Sequence, residues 1–177
     1  MKAKIIMILA LLLLSVLFCA SENSISPIPD NSRLSIETSR EVYSWKAGGG
    51  DRYIVIEGTI ENTADTTFYS RLGDGFGSAE QNQMFFASNS AGFLEKHDNR
   101  SRTWIESDLL GILIEGSRIV PIKPEEEYSL HAFLRADGET ETGKYRLRVD
   151  FYDHENYEEG EKPLRAYSNS FEIKLAS

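Results

Sequence analysis

The chain has few of the side chains that usually carry nucleophilic or metal chemistry. Its 177 residues include one cysteine, Cys19, and three histidines, His97, His131 and His154. The histidines are far apart, and none belongs to a zinc-ligand spacing pattern. No G-x-S-x-G sequence indicates a hydrolase nucleophile either. The sequence therefore predicts a protein with no metal, no cofactor and no enzymatic activity.

Basic residues are also scarce. Lysine and arginine total 19 against 28 acidic residues, a net charge of −9, which becomes −11 once Lys2 and Lys4 are removed with an export signal. This charge repels phosphate backbones, and no basic stripe offsets it. We therefore expect neither nucleic-acid binding nor electrostatic attachment to anionic lipid.

The sequence contains a single long apolar run, residues 5–18, which follows Lys2 and Lys4 and is interrupted only by Ser15. A basic start followed by an apolar centre is typical of a secretory signal. As a helix, fourteen residues would span roughly 21 Å, short of the roughly 30 Å bilayer core. Residues 1–18 are therefore predicted to direct export rather than to span a membrane.

The residues around Cys19 predict how the exported chain is attached. Val-Leu-Phe at 16–18, followed by Cys19, Ala20 and Ser21, resembles the cleavage box of bacterial lipoproteins. The resemblance implies that Cys19 becomes a lipid-bearing N-terminus in the cell envelope, and Ala20 in place of aspartate favours the outer membrane. Phe18 stands where that family has a small residue. Ordinary cleavage after Ser21, which would discard the thiol, is the alternative.

After the cysteine, the sequence predicts a tether and one domain. Residues 19–32 are rich in serine and asparagine and include Pro27 and Pro29, a composition that does not form a core. Residues 33–177 form the predicted domain. With Cys19 lipidated or removed no disulfide can form, but a mature chain of about 159 residues is long enough to fold around an apolar core.

Apolar residues in this domain recur with a period of two, which predicts β-strands. In the last alternating segment Phe171, Ile173 and Leu175 are expected to face inward. The segment 103–111 fits a strand, or a helical turn capped by Thr103 and Glu106; residues 79–86 are equally ambiguous. One-sided alternation favours antiparallel sheets packed face to face. The clearest segments are LSIET (34–38), YIVIEGTIEN (53–62), YSLHAFLR (128–135), KYRLRVDFYD (144–153) and SFEIKL (170–175).

Residues 122–153 add a resemblance. Within them, Gly143 and Tyr145 match a Gly-x-Tyr element, and the segment resembles the late strands of bacterial immunoglobulin-like domains. That resemblance implies an immunoglobulin-like β-sandwich in which Tyr145 forms a tyrosine corner. The Cys-Trp-Cys pattern of antibody domains is absent. Similar spacing occurs in the intracellular proteinase inhibitor family.

Two regions are candidate binding sites. The segment 71–83 is long for a strand connection, and its Asp74 and Phe76, together with Trp45, form the candidate partner-binding loop. Trp104 is assigned to the core instead. The acids of residues 150–161 predict either a solvated acidic loop or a weak cation site. The candidate cation ligands are Asp153, Glu155 and Glu158.

These observations favour a lipid-anchored envelope protein whose non-catalytic module binds a protein or polysaccharide. One alternative is a proteinase inhibitor acting through an exposed loop, at 71–83 or 95–103. A glycosidase with paired carboxylates is the less favoured enzyme alternative, because any pair among 28 acids can be proposed.

Overall fold

The computed structural model describes residues 33–46, 53–73, 83–86, 92–108, 117–136, 140–158 and 160–176. These ranges contain twelve β-strands and no helix, so the predicted all-β fold is confirmed. A membrane-spanning helix is accordingly not found in them. Cys19 and the tether lie outside the described residues, as do Asp74 and Phe76.

The first sheet has six strands. In spatial order the strands are β1 (Leu34–Thr38), β3 (Tyr53–Asn62), β9 (Glu127–Arg135), β5 (Gln83–Phe86), β4 (Phe68–Gly73) and β8 (Ser117–Ile122). Neighbouring strands are antiparallel except for β5 and β9, which run parallel. Pro121 lies in β8, at the edge of this sheet.

The second sheet also has six strands. The strands are β2 (Val42–Trp45), β12 (Phe171–Leu175), β10 (Gly143–Phe151), β6 (Gly92–Asp98) and β7 (Thr103–Ser107) in spatial order, with β11 (Leu164–Tyr167) beside β10. The edge strand β2 pairs parallel with the C-terminal strand β12. The other described pairs, including that of β11 with part of β10, are antiparallel.

The buried faces of the two sheets share one apolar core. Phe68 of the first sheet meets Phe151 of the second edge to face, with ring centroids 5.0 Å apart. The alternation expected in β1, β3, β9 and β10 is confirmed, because alternate residues of each strand are buried. The segment around Thr103 forms strand β7, not a helical turn.

The prediction that Leu175 faces inward is wrong. Phe171 and Ile173 are buried as expected, but Leu175 is 53% exposed. Leu175 is the last residue of β12 and lies beside Trp45, the last residue of β2. Burial in β12 therefore alternates only as far as Ile173.

Strand β1 crosses from the first sheet toward the second. Its residues pair with β3 as far as Thr38 and Gly58. Ile36 also forms a parallel bridge to Ser168, and the Thr38 amide donates to Oδ1 of Asn169 at 2.7 Å. After this crossing the chain enters β2 in the second sheet.

The crossing requires a glycine in β3. A Cβ placed on Gly58 would lie 2.2 Å from the carbonyl oxygen of Glu37, well inside any normal contact. Gly58 therefore allows β1 to pass close to β3 as it leaves the first sheet.

Candidate functional site

The departure of β1 leaves half of β3 without a neighbour on that side among the described strands. β1 pairs with residues 58–62 of β3, and no described strand pairs with residues 53–57 on that side. β2 is also an edge strand and lies nearby, since the Tyr43 hydroxyl donates to the Glu57 carbonyl at 3.1 Å. We call the space between β2 and residues 53–57 the β2–β3 cleft.

Backbone polar groups of β3 point toward this cleft. The carbonyl of Glu57 accepts from the Ser39 amide, which fixes the direction of its polar groups toward the β1 side. Successive residues of a strand alternate in direction, so Val55 and Tyr53 present their N–H and C=O groups the same way. Within the described part of the chain, no strand receives them.

The backbone N–H and C=O groups of β2 also alternate between the two sides of the strand. The carbonyls of Glu41 and Trp45 accept from the amides of Glu172 and Ala176, so these residues face β12. Ser44 therefore directs its N–H and C=O away from β12. Since Ser44 also lines the β2–β3 cleft, the edges of two strands border the same space.

Two exposed apolar side chains line the cleft. Tyr53 and Val55 of β3 are each 40% exposed and lie on the same outward face of the first sheet. The other large apolar residues that are exposed in the described part of the chain, Val42, Ile105 and Leu175, do not line it. Neighbouring exposed apolar residues are a feature of interaction surfaces, whereas isolated ones are common. The cleft is lined by Arg40, Tyr43, Ser44, Trp45, Tyr53, Ile54, Val55 and Glu57.

Trp45, one of the predicted binding residues, lies in this cleft. Its ring packs partly against the core, and its buried Nε1 has no hydrogen-bond partner among the described residues. A buried indole N–H usually donates to an acceptor. The cleft therefore combines an unused donor with the edges of two strands.

A second polar cluster covers the outer face of the second sheet. The Glu95 carboxylate, 6% exposed as a residue, contacts two arginines of β10. Oε2 lies 2.6 Å from Nη2 of Arg146, and Oε1 lies 3.0 Å from Nη1 of Arg148. Arg148 also reaches Glu106 at 3.4 Å. Arg146 and Arg148 thus pair with acids on the neighbouring strands.

Aromatic rings shield this cluster from water. The Arg146 guanidinium lies 4.4 Å from the Trp104 ring centroid and 3.9 Å from that of Tyr167, and Arg148 lies 3.9 Å from Phe93. The assignment of Trp104 to the core is therefore wrong. Trp104 is half-buried because it covers Arg146 on the outer face, a long-range arrangement that residue type alone does not indicate.

Asp150 extends the cluster toward β11. Its Oδ1 lies 3.2 Å from Nε of Arg148 and 3.4 Å from Nε of Arg165. Burial raises the pKa of the Asp150 carboxyl, while the two arginines oppose that rise. Three acids and three arginines thus neutralise one another, which fits a structural role on the sheet surface better than an open reactive site.

The acidic loop after β10 is organised around His154. Nδ1 of His154 lies 2.8 Å from Oδ1 of Asp153, and Nε2 lies 3.3 Å from Oε2 of Glu161. The hydrogen bond with Asp153 and the charge of Glu161 raise the pKa of the imidazole. Tyr152 and Tyr157 stack beneath the loop, with ring centroids 3.7 Å apart.

The structure does not bring the three candidate cation ligands together around a common point. Asp153 pairs with His154, while the backbone N–H of Glu158 donates to the Glu161 carboxylate at 3.2 Å. Across the described ranges, no group of three or more His, Cys, Asp or Glu side chains is arranged to hold a metal ion. A weak cation site at Asp153, Glu155 and Glu158 stays a prediction.

The candidate inhibitory segment 95–103 forms a hairpin. It comprises the end of β6, a tight turn and the start of β7. The Asp98 carboxylate accepts from the amides of Arg100 and Ser101 and from the Ser101 hydroxyl, and these bonds lower the pKa of Asp98. Most of the other candidate segment, 71–83, lies outside the described residues.

Sequence reasoning missed most of the cleft. It singled out Trp45, but not Ser44 or the edge of β3 at residues 53–57. The short VYSW segment of β2 pairs with a strand about 130 residues later in the chain. The apolar Tyr53 and Val55 on the outward side of an alternating strand were the available signal.

Comparisons with known proteins add little to this geometry. No protein-family model matches the chain, and no curated protein matches it. Among solved structures, one described as "AvmM Catalyzes Macrocyclization in Alchivemycin A Biosynthesis" is similar at 12% identity and a TM-score of 0.33, covering 81% of this chain and 89% of that one. Likeness at this level assigns no activity to this chain.

Proposed function

We propose that the protein is a lipid-anchored, non-catalytic binding module of the cell envelope, with an immunoglobulin-like β-sandwich that holds its partner at the β2–β3 cleft. The observation that carries this proposal is the pair of exposed apolar side chains, Tyr53 and Val55, beside two strand edges that no other described strand covers. Such a surface is suited to a macromolecular partner because it offers both apolar area and unused backbone hydrogen bonds.

The strand order supports the immunoglobulin-like assignment. With β3 and β9 as strands B and E, and β6, β10 and β12 as strands C, F and G, the two sheets contain the B–E and C–F–G pairings of that fold. The Tyr145 hydroxyl donates to the Glu141 carbonyl, four residues upstream, at 2.8 Å. This is the bond expected of a tyrosine corner.

The position of the cleft is consistent with a membrane anchor. The described chain enters the first sheet where Leu34 pairs with Asn62, at one end of β3. Tyr53 is at the opposite end, roughly 30 Å away for a ten-residue strand. A fourteen-residue tether from Cys19 would reach at most about 50 Å. A tether of that length is long enough for the cleft to lie clear of the lipid.

Two experiments test the proposal. Cys19→Ala should abolish incorporation of labelled fatty acid and release the protein from membranes; if the variant is still labelled and stays with membranes, the anchor is wrong. Cross-linking in intact cells, followed by purification through a C-terminal tag, should yield a defined partner. If cross-linkers placed over the whole domain surface capture nothing, the binding function is wrong.

A further inference from the structure

We propose that the partner binds as an added β-strand: an extended polypeptide segment, with alternating apolar residues and basic flanks, pairs with residues 53–56 of β3. This inference rests on the proposed binding function and specifies its chemistry. The added segment would occupy the position along β3 that β1 leaves at Thr38.

The first argument is the direction of the unused backbone groups. Tyr53 and Val55 direct N–H and C=O groups away from β9, toward the side where β1 no longer pairs, whereas the Glu57 carbonyl already accepts from Ser39 and Tyr43. Edge strands with such rows of groups are templates for pairing with another chain. A strand added here receives main-chain hydrogen bonds without any rearrangement of the ladder between β3 and β9.

The second argument is the distribution of side chains on either side of that position. An added strand alternates its side chains between the two faces of the sheet. Those facing inward would cover Ile54 and the exposed flank of Trp45, and those facing outward would pack beside Tyr53 and Val55. Both faces of the added strand therefore meet apolar or aromatic surface, as an alternating apolar segment requires.

The third argument concerns charge. Glu57 and Arg40 both line the cleft and balance each other locally, while the whole chain carries −9. Like charge disfavours a second copy of this chain as the occupant, whereas lysine or arginine flanking an apolar segment is attracted. A neutral saccharide would match the aromatic rings but would leave the row of backbone groups largely unused.

The test uses the full-length protein in its native membranes, with a photo-cross-linking amino acid at position 55 or, as a control, at position 106 on edge strand β7. We expect position 55 to capture one extended segment of a basic partner, located by mass spectrometry, and position 106 not to capture it. The synthetic peptide of that segment is then titrated against the purified protein.

Val55→Pro removes the N–H that faces the added strand while leaving the ladder to β9 intact, as prolines at strand edges do. We expect it to weaken peptide binding at least tenfold, whereas Glu106→Pro, on the other edge strand, should change affinity less than threefold. N-methylation of the alternate peptide amides should have the same effect as Val55→Pro. Circular dichroism and thermal melting establish that both variants are folded.

The outcomes separate this inference from the proposed function. A partner captured from other positions but not from 55 overturns strand addition and leaves the binding function standing. A saccharide, or only a second copy of the chain, captured at 55 also overturns it, as does full affinity in Val55→Pro. Failure to capture any partner from any position contradicts the binding function itself.

Discussion

Gly58 lies directly against the carbonyl oxygen of Glu37, at the point where β1 leaves the first sheet. Because the obstructing atom belongs to the backbone, a methyl group at position 58 would have to push the two strands apart. We expect Gly58→Ala to lower the free energy of unfolding by about 1–3 kcal/mol, measured by urea denaturation.

The matched control for this substitution is Thr59→Ala, one residue along the same strand. It removes a half-buried side chain without adding volume and should cost about 1 kcal/mol or less. If Gly58→Ala is as stable as the parent protein, the close passage of β1 over β3 is not as described.

Arg148 contacts three acids on the outer face of the second sheet and lies between them. Glu95 and Glu106 are directly opposite on β6 and β7, and Arg148 reaches both as well as Asp150. Arg148→Met would leave Glu95 with Arg146 alone and Asp150 with Arg165 alone, so we expect a loss of about 1–3 kcal/mol in unfolding free energy. Lys174→Met, which removes a half-exposed pair with Glu172, should leave the denaturation midpoint unchanged.

Tyr145 provides a test of the tyrosine-corner geometry. Tyr145→Phe removes the hydroxyl that donates to Glu141 and should destabilise the protein by about 1 kcal/mol. Burial raises the pKa of Tyr145 to about 12, so this phenol should remain protonated at pH 11 in a spectrophotometric titration. Tyr53→Phe, at an exposed ring, should not alter the melting temperature.

The His154–Asp153 pair predicts a pH-dependent loop. The pKa of His154 is raised above its ordinary value of 6.5, so the stabilisation is fully present below about pH 6.5 and is lost as the pH rises through the raised pKa. Asp153→Asn should lower the pKa of His154, as followed by NMR of the imidazole protons. An unaltered titration of His154 in this variant would contradict the pairing.

The sequence predicted the long alternating strands well because each strand shows its burial pattern locally. Leu147, Val149 and Phe151 are buried, as the alternation around them indicated. It failed at Leu175 because burial at the end of a strand depends on what packs over it, which alternation does not record. It also failed at Trp104, where a stacked arginine from β10 replaces a core environment.

The candidate site was only partly predictable, for a related reason. Trp45 attracted attention as an aromatic residue near a glycine turn, and it does line the β2–β3 cleft. The cleft itself, however, exists because β1 stops pairing at Thr38 and β2 joins the C-terminal strand. Both events are set by register between distant segments, which no local pattern records.

Pro121 has a consequence for copies of this protein concentrated on a surface. If both edges of a sheet can pair with a strand from another molecule, the sheet can extend indefinitely through successive molecules. If only one edge can pair, growth stops after one strand is added. Pro121 lies in β8, on the margin opposite β1 and β3, and has no amide hydrogen to offer. Even at high density, the first sheet would therefore end in one-to-one complexes instead of fibres.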